Sequence, residues 1–375
     1  MSDITLTSGI RQNLLSLQNT SADLTQTQEA LATGDAVNSP EQNPSAYFTS
    51  QNLTNTSNSL SALLDQIGQG SQTINAATNG LTGITSLLQQ ALSTVQQAQQ
   101  ASQTAGALTG TVNLSSGTLP GAASTLTITV GTSTYSVSIA ASSTLAQIET
   151  DINGTSGLGS AGALTASDNG TDLVLTANSG ATSFAVSGAT ATTLGVNTTG
   201  VYGSSSTRTS LQANYNGLLT QINQLASDAS YNGVNLLTGN NLTIDFNPTG
   251  TSSLTIAGVN FDAAGLSLSS VSGAVAGSFQ DNTGLANIVT SLNNAITSVQ
   301  TQTETFGTNS AVISSRQTFE TNMINTLQTG ASNLVAADQN LESTDLLTEQ
   351  TQQQLEISAL SIANQANQSV LKLFG

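Results

Sequence analysis

Residues 60–95 read LSALLDQIGQGSQTINAATNGLTGITSLLQQALSTV. Within them Leu60, Leu64, Ile67, Ser71, Ile74, Thr78, Leu81, Thr85, Leu88, Leu92 and Val95 recur at alternating steps of four and three. That spacing is the seam of a coiled coil, because it keeps one narrow stripe of a slightly underwound helix turned toward a partner. A single stripe has nothing of its own to bury against, so the stretch predicts a long helix and demands others beside it.

The partners lie toward both ends of the chain. Leu285, Leu292, Val299, Phe306 and Ile313 recur every seven residues, and Ile324, Leu327, Ala331, Leu334 and Leu341 continue the stripe with a small change of phase. A helix over 285–341 is roughly 85 Å long at about 1.5 Å per residue, well beyond an ordinary globular helix. Near the start, Ile10, Leu14, Leu17, Ser21, Leu24, Gln28 and Leu31 carry the same spacing up to Gly34, a residue suited to a left-handed cap. Pro40 and Pro44 then confine 34–46 to a loop, and next to it Tyr47 and Phe48 are expected as a buried plug between loop and bundle rather than as a binding anchor. Ser343, Thr344 and Asp345 are expected to cap a last helix bearing Leu355, Ala359, Ile362, Ala366, Ser369 and Leu373 on one side. A further helix carries Leu211, Tyr215, Leu218, Ile222, Leu225 and Ala229.

Between these helices the period changes to two. Leu126, Ile128 and Val130 alternate with Thr, and a turn from Gly131 leads into Tyr135, Val137 and Ile139, which reads as a β-hairpin. A short helix is expected over 144–153, and further strands at Leu173 and Leu175, after the turn residues Asp168, Asn169 and Gly170, and at Phe184 and Val186. A second hairpin is expected over 240–261, with Leu242, Ile244 and Phe246 facing Leu254, Ile256 and Val259 across Pro248, Thr249 and Gly250. The fold class is therefore mainly α: a long antiparallel helical bundle or coiled coil built from both chain ends, with a small β-hairpin and an inserted α+β module. The terminal stripes, 4–33 and 346–374, hold few large side chains and are expected to order only when they meet copies of themselves.

Composition narrows the function. Four of the 375 residues are Lys or Arg and 21 are Asp or Glu, for a net charge of −17, and there is no His, Cys or Trp. Without His and Cys the usual ligands of zinc, the commonest general base and any thiol nucleophile are missing, so no metal, cofactor or catalytic residue is assigned and an enzyme is not expected. Residues 12–207 contain no basic side chain, which disfavours nucleic acid and anionic membranes as partners. No stretch approaches the length of a membrane span, and the first 18 residues hold no apolar run of the kind a secretory signal needs. Charges have been replaced by Ser, Thr, Asn and Gln, which keep a surface wet while letting identical surfaces approach without Coulomb repulsion. Arg11, Arg208, Arg316 and Lys372 are so few that each is expected to pair with an acid, within the subunit or across a contact between subunits, the former being the more ordinary outcome for Arg208 and Arg316.

Several segments match a known family residue by residue. They are LATGDAVNSPEQNPSAYFT at 31–49, LLDQIGQ at 63–69, ASYNGVNLL at 229–237, NLVAAD at 333–338 and ANQSVL at 366–371. In order, spacing and position at both termini this set resembles bacterial flagellin, over roughly 1–105 and 208–375. Residues 108–200 resemble the variable modules in the middle of that family. Asp35 and Glu41 depart from the Arg or Lys that members often carry in the loop after the first helix. Around Leu88 to Gln100, the surface sensed in the family by an animal Toll-like receptor lacks its usual Arg and Glu.

The resemblance implies a filament subunit. It makes 1–45 and 343–375 the two parts of an inner coiled-coil domain, and 46–107 and 201–342 those of a surrounding helical-bundle core that holds the hairpin. It makes 108–200 an outward module. It implies a homopolymer of many copies, used for motility, exported without a cleaved signal peptide through the flagellum's own channel. Contacts with the export apparatus, its chaperone, the filament cap and the hook-junction proteins are implied too. The expected assembly interface is Ile10, Leu14, Leu17, Leu24, Leu31, Leu355, Ala359, Ile362, Ala366 and Leu373, with Arg11, Arg208, Arg316 and Lys372 as candidates for pairing between subunits. The alternatives are a hook-filament junction protein, or a surface adhesin or glycan-degrading enzyme acting through 108–200. That module has only Tyr135 and Phe184 as aromatics, a poor platform for sugar stacking.

Overall fold

The computed structural model describes residues 8–114, 121–159, 162–178 and 183–374, with side chains up to Ser369. The chain divides into two units, one made of Met1–Gly68, Ile244–Leu254 and Ile313–Gly375, the other of Gln69–Thr243 and Thr255–Val312.

In the first unit α1 (Ser8–Thr33) runs antiparallel to the last helix, α7 (Gln339–Phe374). Both break at one level, where 34–37 lie against 335–337. Ala36 N–H donates to Val335 O at 2.6 Å and Ala337 N–H to Gly34 O at 2.8 Å, with Asp35 opposite Ala336. Gly34, at φ 81°, makes the turn that ends α1.

Three expectations are corrected here. Pro44 is not part of the loop but the first residue of α2 (Pro44–Gln100), where its missing N–H costs nothing, with Asn43 accepting from Ala46 N–H at 3.1 Å. Tyr47 and Phe48 therefore stand on the first turns of α2, and Phe48 is 57% exposed rather than a plug. The long helix expected over 285–341 is α6 (Asn282–Val335), and α7 is capped by Asp338, whose carboxylate accepts from Asn340 N–H, rather than by residues 343–345. Ala336 and Ala337 extend to pair with the α1–α2 loop, which moves the start of the last helix upstream of Ser343.

The second unit holds the rest of α2 and α6, with α5 (Ser206–Asp228) between the insert and the hairpin. Gly80 and Gly83 admit α5 and the segment after it. A Cβ at Gly80 meets Ala229 Cβ at 2.6 Å, and one at Gly83 meets Leu225 Cδ2 at 2.5 Å. Burial along α2 corrects the register of the seam. Leu60, Ile67, Ile74, Leu81, Leu88 and Val95 are buried as expected. Their companions, however, are Leu63, Gly70, Ala77, Ile84, Ala91 and Ala98, one residue before or six after the expected Leu64, Ser71, Thr78, Thr85 and Leu92, all of which are half-buried. Around Gly80 and Gly83 the buried arc turns toward the glycine side, where α5 and the segment after it approach.

After α5, Asn232 (φ 48°) and Gly233 (φ 80°) make a tight two-residue turn in which Tyr231 and Val234 exchange backbone hydrogen bonds at 3.0 Å. Asn235 is buried behind it. Its Nδ2 donates to Ala226 O and Ser227 O at 2.8 and 2.9 Å, meeting carbonyls left open at the end of α5, and its Oδ1 accepts from Leu237 N–H at 2.8 Å. The expected second hairpin is a two-stranded sheet of β8 (Leu242–Asp245) and β9 (Ser253–Ile256).

The insert has two antiparallel sheets. β2 (Ser124–Val130) pairs with β3 (Ser133–Ile139) and β6 (Phe184–Ser187), and β6 with β7 (Thr198–Val201). The other sheet has β5 (Leu173–Ala177) between β1 (Ala107–Thr109) and β4 (Leu164–Asp168). The expected alternation holds: Leu126, Ile128, Val130, Val137 and Ile139 are buried in one core with α3 (Leu145–Gly154) and α4 (Ala189–Leu194). A full capping box with Thr144 and Gln147 starts α3.

Candidate assembly interface

The side of α7 turned to α1 is not its apolar stripe. Half-buried positions on α7 are Glu342, Leu346, Glu349, Gln353, Glu356, Leu360, Ala363 and Asn367, at steps of four and three. Facing them, Ile10, Thr20, Thr27 and Ala30 are buried and Asn13, Ser16, Leu17, Leu24 and Leu31 half-buried. The seam is polar. Ser16 Oγ donates to Glu356 Oε1 at 2.7 Å, Thr20 Oγ1 to the same oxygen at 3.1 Å, and Thr27 Oγ1 to Glu349 Oε1 at 3.2 Å. No charged residue stands among the facing positions of α1. The second oxygens of Glu349 and Glu356 are covered yet bonded to nothing, so the pair holds two unmet acceptors. The Glu356 carboxyl is held below the usual carboxylate range by the Ser16 hydroxyl above all, against the opposing effect of burial, with Thr20 and Gln352 adding to the depression.

The expected interface residues thus part company. On the α7 side of α1, Ile10 is buried and Leu17, Leu24 and Leu31 are half-buried, while Leu14 is exposed. Leu355 and Ile362 are 66% and 67% exposed, and Ala359 and Ala366 between and beyond them are exposed as well. This stripe is rotated by roughly 100°, one residue's worth, from the α1-facing seam. The side chains of Leu373 and Lys372 lie outside the described residues. Leu341, Leu347 and Ile357 add further exposed apolar area on α7. Sequence reasoning missed Glu349 and Glu356, although Glu342, Glu349 and Glu356 recur every seven residues and that period was there to be read.

The basic side chains also divide. Arg208 is buried within the second unit, its Nε donating to Ala101 O at 3.1 Å and a terminal nitrogen to Phe279 O at 3.2 Å and Asn282 Oδ1 at 2.9 Å. These neutral acceptors tie both strands at the base of the insert to the start of α6, and burial lowers the Arg208 pKa. Its donors face inward and are not offered to a neighbour. Arg316, in the first unit, lies over the Phe246 ring at 5.1 Å from its centroid. Four residues on, the Glu320 carboxyl is pushed up by burial, with Arg316 opposing the shift. Arg11 is exposed, and among the described residues no basic side chain forms an ion pair.

Comparisons with known proteins agree with this architecture. Residues 10–111 match the family model for the bacterial flagellin N-terminal helical region, and 289–374 match the one for the C-terminal helical region. Together they take in just over half of the chain. Flagellin FljM of Caulobacter vibrioides is 32% identical over 166 residues, 44% of this chain and 59% of that protein. A flagellin of Brucella melitensis is 30% identical over 172 residues, 44% of this chain and 61% of the other. The chain thus spans about three-fifths of the length of these relatives. Flagellin FljN of Caulobacter vibrioides aligns along all of this chain and 99% of its own length at 24% identity. With helical segments matched at both ends and paired in one fold, the chain belongs to the bacterial flagellin family.

Proposed function

We propose that the chain is a structural, non-catalytic subunit that assembles helically, in many copies, into the extracellular bacterial flagellar filament used for motility. The observation that carries the reading is the free stripe Leu355, Ala359, Ile362 and Ala366 on α7, exposed although α7 is already paired. Most exposed large hydrophobic side chains among the described residues, Leu14, Phe48, Phe319 and Leu347 included, belong to the same unit. A row of exposed apolar side chains on a helix marks a surface suited to another protein. A second copy is the occupant the family supports, and one patch meeting a different patch on the next copy, by a rotation that does not close, yields an open filament.

Export through the flagellum's own channel, with a chaperone, a cap and hook-junction proteins as contacts, belongs to the same proposal. Among the described residues no helix is long and apolar enough to cross a membrane. The test is seeded polymerisation of the pure protein, followed by electron microscopy. Wild-type subunits should give long filaments, and Leu355→Asp with Ile362→Asp should give none while helix content by circular dichroism stays unchanged. Filaments of ordinary length from that double variant would refute the role of the stripe. Pure protein that adds to filament ends without elongating would indicate a junction protein.

A further inference from the structure

The outer strands of the insert's two sheets, β3, β7, β1 and β4, are not finished alike. β4 is closed. Asn153 of α3 lies against it as a neighbouring strand would, its Oδ1 accepting from Ala166 N–H and its Nδ2 donating to Ala166 O, both at 2.8 Å. Leu164 N–H donates in turn to Leu158 O at 2.8 Å. β1 has three residues, and β7 has four beside a register break between Phe184 and Val186. β3 has seven, STYSVSI, with no Pro, Gly or charged side chain to discourage another strand.

The free groups of β3 follow from the register. Gly131 N–H donates to Ser183 O at 3.2 Å, so the odd-numbered backbone groups at this end of β2 turn toward β6. Leu126, Ile128 and Val130 therefore bond to Val137, Tyr135 and Ser133. That leaves the N–H and C=O of Thr134, Ser136 and Ser138 pointing away from the sheet. All three residues are exposed, and among the described residues nothing bonds to their backbone.

A row of alternate N–H and C=O groups is matched along its length by another extended strand. The strand that fits here is β3 itself. Turned about Ser136, it sets Ser136 opposite Ser136 and Thr134 opposite Ser138. These hydroxyl pairs continue, on the same face, the contact between Thr129 Oγ1 and Thr134 Oγ1 at 3.3 Å that already joins β2 to β3. No charged residue occurs from 66 to 148, so copies of a chain with net charge −17 bring these edges together without opposing like charges. A charged peptide finds no counter-charge on the strand.

We propose that the free edge of β3 pairs antiparallel with β3 of a second copy, centred on Ser136. Such a two-fold contact closes on itself, whereas a filament grows by one patch meeting a different patch. Copies related by the screw of one filament never stand in that two-fold relation, so the joint links subunits of separate filaments. This last step rests on the filament reading above, and repetition along two filaments multiplies a joint that is weak singly.

The chain has no Cys, so a single introduced thiol reports on its own neighbour. In the unpolymerised full chain under mild oxidation, Ser136→Cys should form a disulfide-linked dimer about tenfold faster than Ser138→Cys. The paired Cα atoms stand about 5.5 Å apart at 136, within disulfide reach, and about 13 Å apart at 138. Adding Ser138→Pro to Ser136→Cys removes an N–H that no bond inside the subunit uses and should abolish that advantage, with the fold checked by circular dichroism. Equal rates for the two thiols, or no effect of the proline, overturn the joint. Seeded wild-type filaments should bundle side by side in electron micrographs and Ser136→Lys filaments should stay single; wild-type filaments that stay single overturn the link between filaments. Protein that never polymerises yet is trapped through Ser136→Cys takes down the filament reading and leaves the joint standing.

Discussion

Asn235 shows how a single residue closes an element. Its amide meets two carbonyls at the end of α5 and its oxygen accepts from Leu237 N–H, so one side chain ends a helix and starts the next segment. Asn235→Ala leaves those groups buried without partners and should lower stability by about 2–4 kcal/mol, read from the shift of the urea midpoint. An unchanged midpoint would mean that water replaces the amide. Neither this hub nor the clamp made by Arg208 was legible in the sequence. Asn is common throughout the chain, and Arg208 was read as a candidate partner for an acid, whereas it is satisfied by two carbonyls and an amide.

At the scale of the element, α2 carries the most information and the clearest error. Its hydrophobic period gave the existence of a long helix over 60–95, within the Pro44–Gln100 observed, and six of the buried positions, because large side chains at Leu60, Ile67, Ile74, Leu81, Leu88 and Val95 leave no other face available. The companion line was misjudged by favouring Thr78 and Leu92 over Ala77 and Ala91. Small residues look like weak core candidates, yet they are what lets neighbouring helices come close, and Gly80 and Gly83 mark that side. The two registers predict different outcomes. Ile84→Ala should cost about 2–5 kcal/mol, as for a fully buried aliphatic side chain, and Leu92→Ala about 1 kcal/mol. Equal losses in thermal or urea unfolding would contradict the register.

For the whole molecule, two kinds of burial are at work. The insert has its own core, drawn from Leu114 to Val196 and closed over by α3 and α4. A fragment of about 100 residues is within the usual domain range, so residues 104–204 alone should unfold in one cooperative transition in urea; a featureless, gradual loss of signal would show that the core depends on the rest of the chain. The terminal pair is the opposite case. α1 and α7 meet through hydroxyls and carboxylates set among apolar side chains such as Ile10, Leu17 and Leu360, leave two carboxylate oxygens unmet and expose Leu355 and Ile362. The exposed apolar stripe of α7 is left for other copies in the proposed filament.

The sequence by itself determined the helical ends, the β-rich insert, the two hairpins and the family, since these depend on periodicity, turn residues and local matches that each segment carries alone. It also determined that like surfaces can meet, through the near absence of charge. Only the tertiary structure decided which stripe of a helix faces which neighbour: that α7 turns Glu349 and Glu356 to α1 and keeps Leu355 free, and that α2 buries Ile84 rather than Thr85. The reason is geometric. A helix with two usable faces records both in its sequence, and only the placement of its neighbours selects between them.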